Sequence, residues 1–309
     1  MKFMNRFLTL VALIITSLTH YSCTKDPFDD IVSHERAIMS FKIADGQIGP
    51  AIIDRAASKV TVTLLMQEDT DLTKVAPQIM ASYKAGISPA SGEPVNFAAN
   101  GNKMTYTVTS ESGQKRDWTV EIVPFTETLL GTYDIKGLVV YGGTGPEYGG
   151  GAVLHMTDKP WVWPASDGPA VELDNVLTFE YTGVTDEGNT YGTVINDAGP
   201  DGKYADFRFV LNPQTNVNSF YRKIPKGQGT WVRNYANNTV TFTFEDGGTA
   251  TGTFIGPGNI ALGNNLSKTV TDNAFEFTLN GTDDWDNIYS DYDKFVKRPR
   301  RFWVDVKKR

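Results

Sequence analysis

The chain has 309 residues, 29 Lys and Arg against 36 Asp and Glu, a formal net charge of −7 and 40% hydrophobic residues. That is enough chain to bury one large or two ordinary cores without metal or disulfide staples, and too apolar for a mostly disordered protein. The charge leaves no globally basic surface for nucleic acid, and a single cysteine excludes an intrachain disulfide or a Cys-based zinc site.

Lys2 and Arg6 precede a nearly continuous apolar run, Phe7 to Ile15, which a polar stretch ending in Ser22 follows. This order predicts an export signal over residues 1–22, shorter than a comfortable membrane span. The lone Cys23 sits where the signal ends. The segment resembles a bacterial lipoprotein signal, with Ser22 as the small residue before the cysteine and His20 where leucine is usual. The resemblance implies lipidation of Cys23, with residues 23–36 as the modified cysteine and its tether. Thr24-Lys25-Asp26-Pro27-Phe28-Asp29-Asp30 resembles the acidic tether of surface-exposed Bacteroides-group lipoproteins. It implies a lipid-anchored protein on the outer face of the outer membrane.

Residues 37–123 read as a first folded block. Strand candidates are Ile38–Ile43, Lys59–Leu65, Val95–Phe97, Met104–Thr109 and Trp118–Val123, most of them alternating apolar and polar residues. Asp71–Ile79 reads as a turn or a single helical turn, and Asn100-Gly101-Asn102 as a hairpin turn. Short strands this dense predict a small sandwich with Trp118 in its core. Phe41, Ile43, Gly46, Gly49, Val60, Val62, Asp71-Leu72-Thr73, Pro77, Ser88-Pro89, Phe97, Tyr106 and Trp118-Thr119-Val120 together resemble the immunoglobulin-like modules that open many Bacteroides surface lipoproteins. Several of those are glycan-binding components of polysaccharide-uptake systems, in which the module mostly acts as a spacer.

Pro124–Thr128 reads as a junction, and residues 129–309 as a larger all-β domain. Its strand candidates are Leu130–Tyr141, Ala152–Met156, Val176–Tyr181, Tyr191–Val194, Phe207–Leu211, Trp231–Asn234, Thr239–Phe244, Thr251–Phe254, Ala274–Leu279 and Arg301–Val306, with one short helix at Asp291–Lys297. This predicts a β-barrel or a jelly roll. Gly131-Thr132-Tyr133 resembles the Gly-x-Trp opening of lipocalin-like barrels, with tyrosine in place of tryptophan.

Catalytic signatures are sparse. His34 and His155 lie in no metal-binding spacing, there is no Gly-x-Ser-x-Gly elbow, and Gly142-Gly143-Thr144-Gly145 lacks the lysine of a phosphate loop. Asp283-Asp284-Trp285-Asp286 sets an aromatic among acids and reads as a solvated loop with an anchoring tryptophan, or as carboxylates for glycoside hydrolysis. No cofactor is expected. Asn196–Gly202 has the composition of a calcium loop without its twelve-residue pattern, so calcium is kept as a candidate ion.

Aromatic residues carry the better signal. Trp161 and Trp163, two apart, would share one face of an extended chain and form a flat platform for a sugar ring; the alternative is that one or both plug the end of the core. Asp158 is a candidate polar partner. Trp231, Tyr221 and Tyr235 form a second candidate group beside Arg222 and Lys223. Residues 294–309 hold Lys294, Lys297, Arg298, Arg300, Arg301, Lys307, Lys308 and Arg309 against Asp305 alone, which predicts either local pairing with Asp283–Asp293 or an anionic partner.

The expectation is therefore a non-catalytic carbohydrate-binding lipoprotein of the cell surface, with a glycan as ligand and an outer-membrane protein as a candidate partner. The alternatives are a structural or adhesive surface protein and a glycoside hydrolase or lyase.

Overall fold

The computed structural model describes residues 32–67 and 70–309. The signal, Cys23 and most of the tether lie outside the described residues. Two compact units are present. One holds Ile52–Thr61, Leu72–Glu121 and the described residues up to Phe41; the other holds Lys42–Ala51, Val62–Asp71 and Ile122–Arg309.

The N-terminal strands are β1 (Ile38–Lys42), β2 (Ile52–Asp54), β3 (Lys59–Leu65), β4 (Gln78–Ala81), β5 (Gly86–Ser88), β6 (Lys103–Thr109) and β7 (Lys115–Phe125). They form a five-stranded sheet in the order β2-β3-β7-β6-β5 and a two-stranded sheet β1-β4. This is the expected sandwich. Alternation in β6 and β7 turns Tyr106, Val108, Trp118 and Val120 inward, where they are buried. The Trp118 indole donates to the Arg36 carbonyl at 3.1 Å, so its one polar group is satisfied. The strand expected at Val95–Phe97 is reduced to a single bridge, Val75 to Val95. Asn96 accepts from the Ala99 N–H through its side chain and bends the chain into the turn Ala98–Asn100.

The larger part contains β8 (Gly131–Gly142), β9 (Ala152–His155), β10 (Val176–Val184), β11 (Thr190–Asp197), β12 (Arg208–Phe209), β13 (Thr215–Asn216), β14 (Gly227–Asn234), β15 (Thr239–Thr243), β16 (Thr249–Ile255), β17 (Gly258–Gly263), β18 (Leu266–Val270), β19 (Asn273–Thr278) and β20 (Pro299–Lys308). Nine of these form one sheet, β10-β11-β14-β15-β16-β19-β20-β8-β9, and β10 also pairs with β8. That last pairing, Val176–Phe179 against Gly131–Asp134, closes eight strands into an up-and-down antiparallel barrel, with β9 beyond it on the distal half of β8. Of the two expected architectures, the barrel is the one present.

The barrel interior is packed. Thr239-Val240-Thr241-Phe242-Thr243 shows the rule: Val240 and Phe242 point in and the threonines out. Tyr133, Phe179, Trp231, Phe254, Phe275, Phe277 and Phe302 fill the interior with Phe242. Eight strands enclose a space just wide enough for side chains. Each such ring contributes about 1.5–3 kcal/mol by leaving water. The hairpin β17-β18 packs outside the barrel, where Val270 meets Val139, Tyr141 and Trp303. That cover explains why the distal half of β8 is buried on both faces instead of alternating. Phe207–Leu211, expected as a strand, supplies only the two residues of β12, and Asp291–Lys297 contains a single π-helical turn, Asp293–Lys297.

The two barrel ends differ. Registers place the end of β8, the starts of β10, β14, β16 and β20 and the ends of β11, β15 and β19 together. Three long connections leave from this end: residues 143–175, 198–226 and 279–298. The barrel's first strand starts at the opposite end, beside the short turns 185–189 and 235–238.

Candidate functional site

Trp161 and Trp163 do not share a face. Pro160–Val162 is a turn of 3-10 helix, and extended backbone resumes only at Trp163. Three residues per turn send positions two apart in different directions. Trp163 is buried with its ring centroid 5.2 Å from Phe295, 6.1 Å from Tyr221 and 6.5 Å from Phe209, and its indole donates to the Met156 carbonyl at 3.1 Å. Trp161 is 56% exposed, with the Lys159 ammonium 5.2 Å from its ring centroid. Asp158 is exposed in the preceding turn, Met156–Asp158.

The second aromatic group is likewise dispersed. Trp231 is fully buried in the barrel, donating to the carbonyls of Thr193 at 3.0 Å and Glu180 at 3.2 Å. Gly192 makes room for it: a Cβ there would sit 3.0 Å from the indole nitrogen and 1.8 Å from the Glu180 carbonyl oxygen. Tyr221 is buried near the loop-bearing end, where its hydroxyl donates to the Phe295 carbonyl at 2.6 Å. Burial pushes that hydroxyl well above its ordinary pKa. Tyr235 lies at the opposite end and donates to the Glu127 carboxylate. Alternation put Trp231 in a strand but could not say that its neighbours in sequence diverge.

Glu127, inside the expected junction, is buried. It accepts from the Leu129 N–H at 2.8 Å, the Thr190 hydroxyl at 2.7 Å, Arg233 at 2.6 Å and Tyr235. Burial alone would raise its pKa, but these donors outweigh burial and hold the carboxyl below its usual range. The network ties the start of the barrel to β11 and β14.

An exposed aromatic group forms elsewhere, on the connections 143–151 and 279–298. Its foundation is Asp293, fully buried, which accepts from the Thr144 N–H at 2.7 Å and the Thr144 hydroxyl at 2.8 Å. The Thr144 hydroxyl also accepts from the Asp284 N–H at 2.7 Å. Two glycines permit this closeness. A Cβ on Gly150 would lie 1.9 Å from the Thr144 carbonyl oxygen and 2.5 Å from Ile288, and Gly145, at φ +56°, would bring one within 2.9 Å of the Trp285 ring. On this base Tyr148, Trp285 and Tyr289 are 65%, 56% and 68% exposed. The Tyr148 and Trp285 centroids are 6.0 Å apart, and the Tyr289 hydroxyl donates to the Tyr148 carbonyl at 3.3 Å. Lys159, over Trp161, pairs with Asp291 at 3.1 Å, which links Trp161 to the same loop. Lys294 donates to the Tyr289 carbonyl at 2.7 Å; burial lowers its pKa, opposed by the charges of Asp291 and Asp293. Glu147 and Asp286 are exposed around the rings.

Of this group, sequence singled out Trp161 and, within the acidic cluster, Trp285. Tyr148 and Tyr289 were missed. The available signal was six glycines within residues 142–151, a density that marks close backbone approach.

Four of the eight basic residues of the C-terminal stretch form ion pairs, two of them with the acidic loop that the local account named. Arg298 and Arg300 lie 2.8 Å and 3.6 Å from Asp283, Arg301 lies 3.1 Å from Glu276, and Arg309 lies 2.9 Å from Asp134. In the suspected calcium loop, Asp197 accepts from the Gly199 N–H and Asp201 from the Lys203 N–H, as turn-forming side chains. Among the described residues no group of three or more His, Cys, Asp or Glu is placed to hold a metal ion.

No curated protein matches the chain. Among solved structures, a proposed secreted protein from Bacteroides fragilis is 16% identical over 29% of this chain and 95% of its own, with a TM-score of 0.24. A proposed glycoside hydrolase from Bacteroides thetaiotaomicron is 10% identical over 91% of this chain and 98% of its own, at 0.28. A DUF4623 family protein from Bacteroides eggerthii is 11% identical over 67% of this chain and 59% of its own, at 0.26. A family model described as SGBP, N-terminal, matches residues 38–122. That match covers the residues from β1 into β7 and agrees with the resemblance carried by Phe41 through Val120: this part of the chain is similar to the opening module of a family of glycan-binding proteins.

Proposed function

We propose that the protein is a non-catalytic carbohydrate-binding lipoprotein of the cell surface, and that sugar rings stack on Tyr148, Trp285 and Tyr289 with Trp161 alongside. One observation carries the site. Three large aromatic side chains stand in solvent on loops whose bases are locked by the buried Thr144–Asp293 contacts. The exposed part of each ring adds nothing to the fold, while the C–H-rich face of a sugar can bury apolar area on it at about 25 cal/mol per Å². Asp284, Asp286 and Glu147 supply acceptors that orient hydroxyl groups. The N-terminal match to a glycan-binding family supports the ligand class.

Lipidation at Cys23 would tether the chain to the outer membrane, facing outward, where an outer-membrane protein that takes up the glycan is the natural partner. Labelled palmitate should enter the wild-type protein and not Cys23→Ala; equal labelling would refute the anchor. The binding reading is tested by screening the chain lacking residues 1–22 on a broad glycan array, with and without calcium. A defined set of retained glycans is expected. A blank array in both conditions, with a stable envelope protein captured instead, would favour the adhesive reading.

A further inference from the structure

The same barrel end carries a second concave surface. Between the 198–226 connection and the turn joining β15 to β16 lies a cleft of about 390 Å³, lined by Arg222, Pro225, Lys226, Phe244, Glu245 and Asp246. This volume sits at the lower end of the about 300–1,000 Å³ that ligand pockets span, enough for one or two sugar units. Its floor is fixed. Phe244 packs on the barrel core, and the Pro225 carbonyl accepts from the buried Asn196 amide at 2.8 Å. Its rim is polar and exposed, with the Lys226 ammonium and the Glu245 and Asp246 carboxylates.

The rim carries a net negative charge. The Arg222 guanidinium is already committed, 2.7 Å from the buried Glu172 carboxylate and 2.6 Å from the Ala205 carbonyl. Lys226 shares the rim with the two carboxylates of Glu245 and Asp246, so an anionic ligand would meet net repulsion there. An apolar floor under mixed donors and acceptors suits a polyhydroxyl compound without charge. The cleft and the aromatic group stand at the same end of the barrel, on connections that meet where the buried Tyr221 hydroxyl donates to the Phe295 carbonyl.

We infer that this cleft is a second sugar subsite, which takes another unit of the same neutral glycan chain that stacks on the exposed aromatic residues. The inference rests on the proposed function. Its consequence is a preference for long chains, because occupying one subsite raises the effective concentration of the chain at the other.

The test is calorimetric titration of the protein lacking residues 1–22 with neutral gluco-, xylo- and manno-oligosaccharides of two to eight units, and with oligogalacturonates of equal length. Three proteins are compared: wild type, Lys226→Ala with Glu245→Ala, and Trp285→Ala with Tyr289→Ala. The cleft residues are exposed, and thermal unfolding of the variant should match wild type. The expected result is wild-type binding of the shortest ligands by the cleft variant and about a tenfold loss on the longest. Unchanged affinity of the cleft variant at every length overturns the subsite, while loss in the Trp285 and Tyr289 variant would leave the proposed function standing. Cleft-dependent binding of oligogalacturonates above the neutral series overturns the ligand class. Failure of wild type to bind any member overturns the subsite as one for these chains, and the glycan array decides the proposed function separately.

Discussion

The interior of the barrel and its loop-bearing end use the same residue types for opposite purposes. Trp231 inside the barrel and Trp163 beneath the loops at its end are buried, and each indole nitrogen has a carbonyl partner. At the end, Trp285, Tyr148 and Tyr289 are exposed by more than half, and only their supports are buried. Aromatic content alone therefore does not identify a binding face. What identifies it is a ring left in water by a loop that is itself held rigid, as Thr144, Asp293 and Gly150 hold this one.

The comparison can be broken most forcefully from the inside. Trp231→Ala should cost about 3–5 kcal/mol, from lost burial plus the cavity left between β14 and the opposite wall. Urea unfolding measures it, and a loss below about 1 kcal/mol would mean that the interior tolerates vacancy as the surface does. Gly150→Ala attacks the support. The added methyl group must push the Thr144 carbonyl or Ile288 aside, at about 1–3 kcal/mol. Glycan affinity should fall in this variant although no ligand-facing group has changed; unchanged affinity would show that the loop does not need this packing to present its rings.

A smaller effect comes from the opposite end. The donors around Glu127 depress its folded pKa, so the stability it contributes is complete above the unfolded value of about 4.3 and is lost as pH falls through the lower folded value. Glu127→Gln should be less stable than wild type at pH 7. The gap should narrow as the pH is lowered below about 4. Unfolding curves from pH 7 to pH 3 follow this, and a gap that stays constant would mean that Glu127 acts by shape rather than by charge.

How much of this was legible depended on range. Alternation located β3, β6 and β15 because burial on one face of a strand is a local property. The choice of barrel over jelly roll was not local: it rests on β8 meeting β10 through pairs such as Asp134 with Val176, distant in sequence, a pairing without a marker in either strand. The hairpin β17-β18 was missed because its inner residues Ile260, Leu262 and Leu266 cover the outside of the barrel and resemble ordinary surface alternation. The site failed in part for a conformational reason. Two-residue spacing at Trp161 and Trp163 implies one face only if the backbone is extended, and Pro160 starts a helical turn there. Tyr148 and Tyr289 meet through tertiary contacts of two loops, and Glu127 read as plain linker because its donors come from β11 and β14.

The central claim is that the exposed rings at the loop-bearing end hold sugar without holding up the fold. Titrating Trp285→Ala and wild type with the glycan that the array retains, and unfolding both, tests it directly. The account predicts an unfolding free energy within about 0.5 kcal/mol of wild type and an affinity lower by about tenfold or more. Equal affinity in the two proteins, or a loss of binding matched by a loss of stability, would contradict it.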